Sequence, residues 1–163
     1  MIRNATLADA DQLAKIYNHY ITHSYATFEE VEVDAANFET RIKKVTIKFP
    51  WLVFEKDNQI LGYAYASDFN SRCAYKYTAE TSVYLKHDQL GNGVGSQLYI
   101  ELLKILKASK FRAIIGGVSL PNEASVRLHE KLGFKKVAHY KDVGFKFGNW
   151  IDVAYWQLIY KHE

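Results

Sequence analysis

Apolar residues recur every three to four positions in four stretches of the chain, which is the spacing of one face of an α-helix. The first stretch follows Thr6–Asp9, a segment with the form of a capping box, and the second ends before Pro50. Gly133 suits the position just after the last helix, where a left-handed residue closes the final turn. The four predicted helices cover residues 8–22, 34–48, 96–109 and 122–132.

Seven further runs are apolar in alternation or continuously, as β-strands are. Lys56–Gln59 separates two of these runs with turn-forming residues, which predicts a hairpin. Ala113–Val118 is continuously apolar, which is typical of a strand buried on both faces of a sheet. The predicted strands cover residues 2–5, 51–55, 60–67, 75–85, 113–118, 134–140 and 151–160.

The predicted order of elements is βααβββ followed by αβαββ, which mixes hairpins with helix crossovers. This order indicates an α/β (or α+β) fold with one mixed sheet and no internal repeat. The chain has 163 residues and a mass of 18.8 kDa, which is the usual size of one domain. We therefore expect a single domain over residues 1–163.

The composition excludes several classes of protein. One cysteine leaves no pair for an internal disulfide or a cysteine-built zinc site, and a net charge of +3 is too balanced to indicate a nucleic-acid partner. The sequence has no apolar leader and no apolar run of the ~20 residues that cross a bilayer, so we expect a cytoplasmic protein with no membrane partner. Aromatic residues make up 15% of the chain, which suits a packed core or an aromatic-lined pocket.

Gly91, Gly93 and Gly95 form a glycine-rich loop between a predicted strand and the third helix. Backbone N–H groups in such a loop, with the positive end of the helix, bind phosphate oxygens. A P-loop needs Lys after its last glycine, where Ser96–Gln97 stand here, and a dinucleotide fingerprint needs a G-x-G-x-x-G spacing that is absent. Two interpretations remain open: the pyrophosphate loop of a coenzyme A-dependent N-acetyltransferase, and an ordinary strand-to-helix turn.

Further segments accompany the glycine loop in a definite order. They are Ile16–Ile21, Ala26–Glu29, Pro50–Val53, Gly62–Ala66, Tyr77–Tyr84, Leu120–Phe134 and Val143–Trp150. With the loop, they make nearly the whole chain resemble the GNAT superfamily of N-acetyltransferases. More narrowly, the chain resembles the phosphinothricin and methionine sulfoximine/sulfone acetyltransferase branch of that superfamily. The ordered set is much more specific than the loop alone.

The resemblance implies a bent mixed sheet, flanked by helices, whose fourth and fifth strands splay apart around acetyl-CoA. It implies that the backbone of one strand pairs with the pantetheine arm and that the glycine loop holds the pyrophosphate. The implied cofactor-binding residues are Val83, Tyr84, Leu85, Gly91, Asn92, Gly93, Val94, Gly95, Ser96 and Asn122. The family usually has Arg or Gln in place of Leu90, and often Lys or Arg in place of Asn92, so we expect weaker cofactor affinity.

Acetyl transfer to an amine needs a general base, because an ammonium nitrogen has no lone pair for attack. Glu80 matches the family's base-carrying Thr-x-Glu stretch, and nearby tyrosines favour a raised carboxyl pKa. The alternative interpretation is a solvated strand carboxylate. His129 stands where many family members have a tyrosine acid, so the resemblance implies that it protonates the leaving thiolate. The alternative for His129 is a structural helix histidine that faces solvent or caps a neighbouring group.

The resemblance also indicates a substrate pocket formed by Phe28, Arg72, Tyr75, Lys76 and Phe147. The positive side chains would hold a carboxylate or an oxidised sulfur or phosphorus group, although charged residues more often face solvent. Some members of the branch have a histidine where this chain has Phe147, so a mechanism that needs that histidine is excluded. A phenyl ring there favours a substrate with an apolar end, such as a methionine derivative.

Two other patterns do not predict a site. His19 and His23 have the i, i+4 spacing of helical zinc ligands but no third ligand, so we expect no metal. Cys73 has no neighbouring base, so we expect no acyl-cysteine route.

We therefore predict an enzyme that acetylates the α-amino group of a small amino-acid analogue. Two alternatives stay open, a protein N-terminal acetyltransferase on the same fold and a non-catalytic acyl-CoA-binding sensor. Because relatives in the branch are commonly dimers, the resemblance also allows a homodimer.

Overall fold

The computed structural model describes residues 1–161. Four α-helices and seven β-strands make up this part of the chain, in the predicted order. They are β1 (Ile2–Asn4), α1 (Ala10–His23), α2 (Ala35–Thr46), β2 (Trp51–Lys56), β3 (Gln59–Asp68), β4 (Thr78–Leu85), α3 (Val94–Ala108), β5 (Ala113–Ser119), α4 (Glu123–Lys131), β6 (Lys135–Lys146) and β7 (Asn149–Ile159). Short 3-10 turns lie at Leu7–Asp9, Cys73–Tyr75 and His87–Gln89.

One mixed sheet carries all seven described strands in the order β1-β2-β3-β4-β5-β7-β6. Every neighbouring pair is antiparallel except β4 and β5, which are parallel. Apolar side chains of α1 and α2 form one core with one face of the sheet, and those of α3 form the second core with the other face. The predicted α/β fold with one mixed sheet is therefore confirmed.

Several boundaries differ from the sequence prediction by one or more residues, and three of these differences have a clear local reason. The capping box of Thr6 and Asp9 is present, but it caps the 3-10 turn that precedes α1. The run predicted as a strand from residue 75 begins as a 3-10 turn, so β4 starts later. β6 is longer than predicted because Phe147 and Gly148, with φ values of 51° and 74°, form a tight two-residue turn to β7.

The predicted splaying of the fourth and fifth strands is present. β4 and β5 pair over only three positions, the last of which joins Glu80 to Ile115. Beyond that pair, β4 continues to Leu85 and β5 to Ser119 without further pairing. The gap between the two strands opens a cleft through the middle of the sheet.

Candidate active site

A cavity of about 730 Å³ fills the gap between the splayed strands. Its walls come from the free halves of β4 and β5, the ends of α1, the start of α3 and one side of α4. The predicted site residues that line it are Val83, Tyr84, Leu85, Gly91, Gly93, Gly95, Ser96, Asn122 and His129. Most of the predicted cofactor-binding set is therefore brought together at one cleft.

Two residues of that set do not line the cavity. The side chain of Val94 is buried in the α3 core, and Asn92 is exposed beside the cleft. Of the groups of Val94, the backbone N–H and not the side chain is therefore suited to a ligand in the cleft.

The glycine loop ends in a helix N-terminus with unused donors. Gly91 and Gly93 have φ values of 81° and 79°, which glycine adopts without steric strain. Gly93 caps α3, and its carbonyl accepts the first helical bond from Gln97 N–H at 3.1 Å. The N–H groups of Val94, Gly95 and Ser96 precede that bond, so they have no acceptor within the helix. These donors and the positive end of a 15-residue helix suit a pyrophosphate.

The edge of β4 that faces the cleft is set by its pairing with β3. Lys86 N–H donates to the Leu61 carbonyl, and in an antiparallel pair the bonded positions alternate. Val83 and Leu85 therefore direct their N–H and C=O groups into the gap. The hydroxyl of Tyr20, at the end of α1, donates to the Leu85 carbonyl at 2.6 Å and accepts from the Leu85 N–H at 3.2 Å.

Asn122 begins α4 and uses its side chain locally. Its carbonyl oxygen accepts from Ser125 N–H at 3.1 Å, which makes it the N-cap of the helix. The side chain also lines the cavity, so its amide NH2 is the group suited to a ligand.

Glu80 lies at the last paired position of the two central strands. Its carboxylate oxygen Oε1 is 3.4 Å from the point where a Cβ on Gly117 would lie, and Gly117 itself lines the cavity. Burial raises the pKa of the Glu80 carboxyl above its usual range. Glu80 is thus a half-buried carboxylate next to the cleft, with the raised pKa that the sequence analysis predicts.

His129 belongs to a buried hydrogen-bonded chain. Its Nδ1 lies 2.7 Å from the Ser125 carbonyl and its Nε2 lies 3.1 Å from the Tyr99 hydroxyl, which in turn bonds Thr81 Oγ1. Because a carbonyl can only accept, neutral His129 carries its proton on Nδ1 and accepts from Tyr99 at Nε2. Burial lowers the pKa of the imidazole, which favours this neutral form.

These hydrogen bonds bear on whether His129 is the acid that protonates the thiolate or a structural histidine. The neutral imidazole lines the cavity but has no N–H directed into it, since both ring nitrogens are engaged. The hydrogen bonds are those of a structural histidine, although its buried position differs from the solvent-facing one that the alternative allowed.

The predicted substrate residues form two separate groups, and none of the five lines the cavity. Phe28 packs on Gly144, where a Cβ would lie 2.3 Å from the phenyl ring, and Phe147 packs against Tyr25 with the ring centroids 5.7 Å apart. Both rings are partly exposed.

The other three substrate candidates lie on the β3–β4 connection. Arg72, Tyr75 and Lys76 are all exposed there. Tyr75 contacts Phe69, and Lys76 lies over the ring of Tyr77.

Three residues of the site were not predicted from the sequence. Tyr155 on β7 lies beside Glu80, because its ring is 3.1 Å from the same Cβ position on Gly117. Tyr20 and Tyr99 line the cavity from α1 and α3. In the sequence these tyrosines fall on apolar helical or strand positions, where they read as core residues. An unusual number of tyrosines is the one signal that pointed to them.

Lys146 was also missed, and it ties the β6–β7 hairpin to the segment after α1. Its side chain is 1% exposed, and the ammonium donates to the carbonyls of Ser24 at 2.6 Å and Thr27 at 2.8 Å. It also reaches the Tyr20 carbonyl at 3.3 Å. Burial lowers its pKa. This contact holds Phe28 and Phe147 on the same side of the molecule.

Within residues 1–161, no group of three or more His, Cys, Asp or Glu side chains is arranged to hold a metal ion. None of the helices in that range is long and apolar enough to cross a membrane.

Comparison with known proteins identifies the class of this fold and site. The model of the acetyltransferase (GNAT) domain family matches residues 2–155. A phosphinothricin N-acetyltransferase of Streptomyces viridochromogenes is 38% identical over 156 residues, which cover 96% of this chain and 85% of the relative. An L-methionine sulfoximine/L-methionine sulfone acetyltransferase of Salmonella typhimurium is 35% identical over 96% of this chain and 92% of that protein.

The solved structures give the same result. The structure of yncA from Salmonella typhimurium with its cofactor acetyl-CoA has a TM-score of 0.97 and 33% identity, covering 100% of this chain and 95% of that one. The chain belongs to the GNAT acetyltransferase family. The predicted family and enzyme class are thereby confirmed, and the predicted acetyl-CoA cofactor agrees with that of the solved relative.

Proposed function

We propose that the protein transfers an acetyl group from acetyl-CoA to the α-amino group of a small amino-acid analogue of the methionine sulfone, methionine sulfoximine or phosphinothricin type. The observation that carries the proposal is the position of Glu80 at the fork of the central strands, beside Gly117 and next to the cavity. The names of the relatives support the substrate class.

The cleft offers groups that suit the pyrophosphate and the pantetheine arm of acetyl-CoA. The N–H groups at the start of α3 would take the pyrophosphate oxygens, and the amide of Asn122 would take a polar group of the pantetheine arm. The backbone of Val83 and Leu85 is directed into the gap, where an extended arm can pair with it as an added strand. This pairing brings the thioester end toward Glu80.

Glu80 acts as the general base. It takes one proton from the ammonium nitrogen, whose lone pair then attacks the thioester carbonyl carbon. The C–N bond forms, the carbonyl electron pair moves to oxygen, and collapse of the tetrahedral intermediate breaks the C–S bond with the electron pair on sulfur. The raised pKa of the buried Glu80 carboxyl brings its basicity closer to that of the amine, which favours the transfer.

The proton on the leaving thiolate comes from the nitrogen of the intermediate, which must lose a second proton to become an amide. This route needs no separate acid. It agrees with the neutral His129, whose two ring nitrogens bond Ser125 and Tyr99. We therefore assign His129 the role of holding Tyr99 and α4 in place.

The far end of the substrate lies among aromatic side chains. Phe28 and Phe147 offer apolar surface, while Arg72 and Lys76 offer positive charge for a carboxylate or an oxidised sulfur or phosphorus group. The combination favours an amino acid with an apolar chain that ends in a polar oxidised group.

A homodimer is supported by the apolar surface of the β6–β7 hairpin. Val143, Phe145, Phe147 and Trp150 are each more than half exposed on this one hairpin, and grouped exposed apolar side chains are typical of protein–protein contacts. Sedimentation of the wild type should give the mass of a dimer, whereas a sharp monomer at micromolar concentration contradicts it.

The cytoplasmic location and the lack of a nucleic-acid partner stay predictions.

A thiol-release assay with acetyl-CoA and a panel of amines tests the substrate class. The panel contains methionine sulfone, methionine sulfoximine, phosphinothricin, plain amino acids, polyamines and short peptides. We expect turnover with the amino-acid analogues and an N-acetylated product by mass. Turnover with peptides alone, or binding of acetyl-CoA without any turnover, contradicts the proposal.

A further inference from the structure

The hydroxyl of Tyr20 occupies the backbone groups that the cofactor needs on Leu85. It donates to the Leu85 carbonyl at 2.6 Å and accepts from the Leu85 N–H at 3.2 Å, although the two residues are 65 positions apart. One hydroxyl thus bonds both the donor and the acceptor of a residue in β4. This is the pattern that the amide of an added strand would make.

The neighbouring position on the same edge is different. Val83 also directs its N–H and C=O away from β3, but within residues 1–161 neither group has a protein partner. Both positions belong to the stretch of β4 that extends past its last pair with β5. An extended ligand along this edge therefore finds Val83 open and Leu85 already bonded.

Tyr20 is well placed to move. Its ring lines the cavity and is only partly buried, with edge contacts to Tyr84 at 5.2 Å and to His19 at 5.8 Å between ring centroids. Its backbone is held at the end of α1, where the carbonyl accepts from the Ser24 N–H and from the Lys146 ammonium. Side-chain rotation alone releases both groups of Leu85.

We propose that Tyr20 lowers the affinity for acetyl-CoA by competing with the pantetheine arm for the backbone of Leu85. This inference rests on the proposed pairing of the arm with β4. Without the ligand, the Tyr20 hydroxyl satisfies two groups that would otherwise face an open cleft. When the arm binds, the hydroxyl gives up both bonds, and the free energy of that exchange reduces the net affinity.

The test is the Tyr20→Phe variant, compared with wild type by isothermal titration with acetyl-CoA and by thermal unfolding with and without it. Phe keeps the ring and removes only the hydroxyl. Since one net hydrogen bond is worth about 0.5–1.5 kcal/mol, we expect a dissociation constant roughly three- to tenfold lower in the variant. Without ligand the variant should unfold at a lower temperature, and saturating acetyl-CoA should remove most of that difference.

Tyr77→Phe is the matched control, because Tyr77 is exposed and lies outside the cavity lining. Its dissociation constant should equal that of wild type. An equal or higher dissociation constant for Tyr20→Phe overturns the inference while leaving the proposed function intact. Absence of binding to wild type overturns both.

A crystal structure of the wild type with acetyl-CoA gives a second, independent test that no folding defect can affect. We expect the Tyr20 hydroxyl to lie beyond hydrogen-bond distance from the Leu85 carbonyl. A hydroxyl that keeps both bonds to Leu85 in the complex overturns the inference.

Discussion

Oε1 of Glu80 lies 3.4 Å from the point at which a Cβ on Gly117 would stand. Gly117 lines the cavity, and because it has no side chain, nothing at that position stands between the cavity and the carboxylate. The ring of Tyr155 borders the same point at 3.1 Å, so any side chain at position 117 meets both.

Gly117→Ala should lower kcat while leaving the fold intact. The added methyl must displace the Tyr155 ring by a few tenths of an ångström and stands next to the carboxylate. Overpacking of this kind costs about 1–3 kcal/mol, which corresponds to roughly a five- to hundredfold loss if it falls on the transition state. Steady-state kinetics at saturating acetyl-CoA measure the loss.

Gly116→Ala is the matched comparison for that variant. The Cβ of an alanine at position 116 would lie 2.1 Å from His129 Nε2. It would therefore collide with the buried imidazole ring and not with Glu80. We expect a larger fall in melting temperature for Gly116→Ala than for Gly117→Ala. The reverse order contradicts the described positions of these two side chains.

His129 should be neutral at pH 7, with the proton on Nδ1, because burial holds its pKa below the usual value of histidine. Burial disfavours the charged ring, and the Ser125 carbonyl fixes the tautomer. Nitrogen NMR on protein labelled in its histidine rings reports both the tautomer and the titration. A ring that is protonated at pH 7 contradicts the structural role and restores its candidacy as the acid.

Lys146→Met should lower both stability and affinity for the amine. The variant leaves the carbonyls of Ser24 and Thr27 without their donor, which costs about 2–3 kcal/mol in the free energy of unfolding. Because the same segment carries Phe28, we expect a higher KM for the amine. Denaturant unfolding and kinetics measure the two effects.

Lys135→Met is the control, since Lys135 is an exposed lysine on the same strand. Lys135→Met should change neither the free energy of unfolding nor the KM for the amine. An equal loss of stability in both variants contradicts the specific role of Lys146.

The sequence was sufficient for features that depend on local pattern. Helical and strand periodicity predicted the order of all eleven described elements, and the glycine loop predicted an exposed helix start, although α3 begins at Val94 and not at the predicted residue 96. The family resemblance added the splaying of β4 and β5 and the choice of Glu80 as the base, whereas the position of Glu80 at the fork of the two strands comes from the structure.

Contacts between distant parts of the chain were not predictable in this way. Tyr20 meets Leu85, Tyr99 meets His129 and Lys146 meets Ser24 over separations of 65, 30 and 122 residues. The sequence pattern predicts that a tyrosine on an apolar helix face is a core residue. The hydrogen-bond partner of its hydroxyl depends only on tertiary packing. A lysine in a strand reads as exposed, because nothing local shows that three carbonyls surround it.

The central claim is that Glu80 removes the proton from the amine, and the pH dependence of kcat for wild type and Glu80→Gln tests it most directly. Both proteins should bind acetyl-CoA equally, since Glu80 does not line the cofactor cavity. With methionine sulfone, wild-type kcat should fall as pH decreases through a pKa above the usual range of a glutamate, because the base must be deprotonated. Glu80→Gln should be at least tenfold slower and should lack that transition. A Glu80→Gln variant with wild-type kcat and the same pH profile would contradict the account.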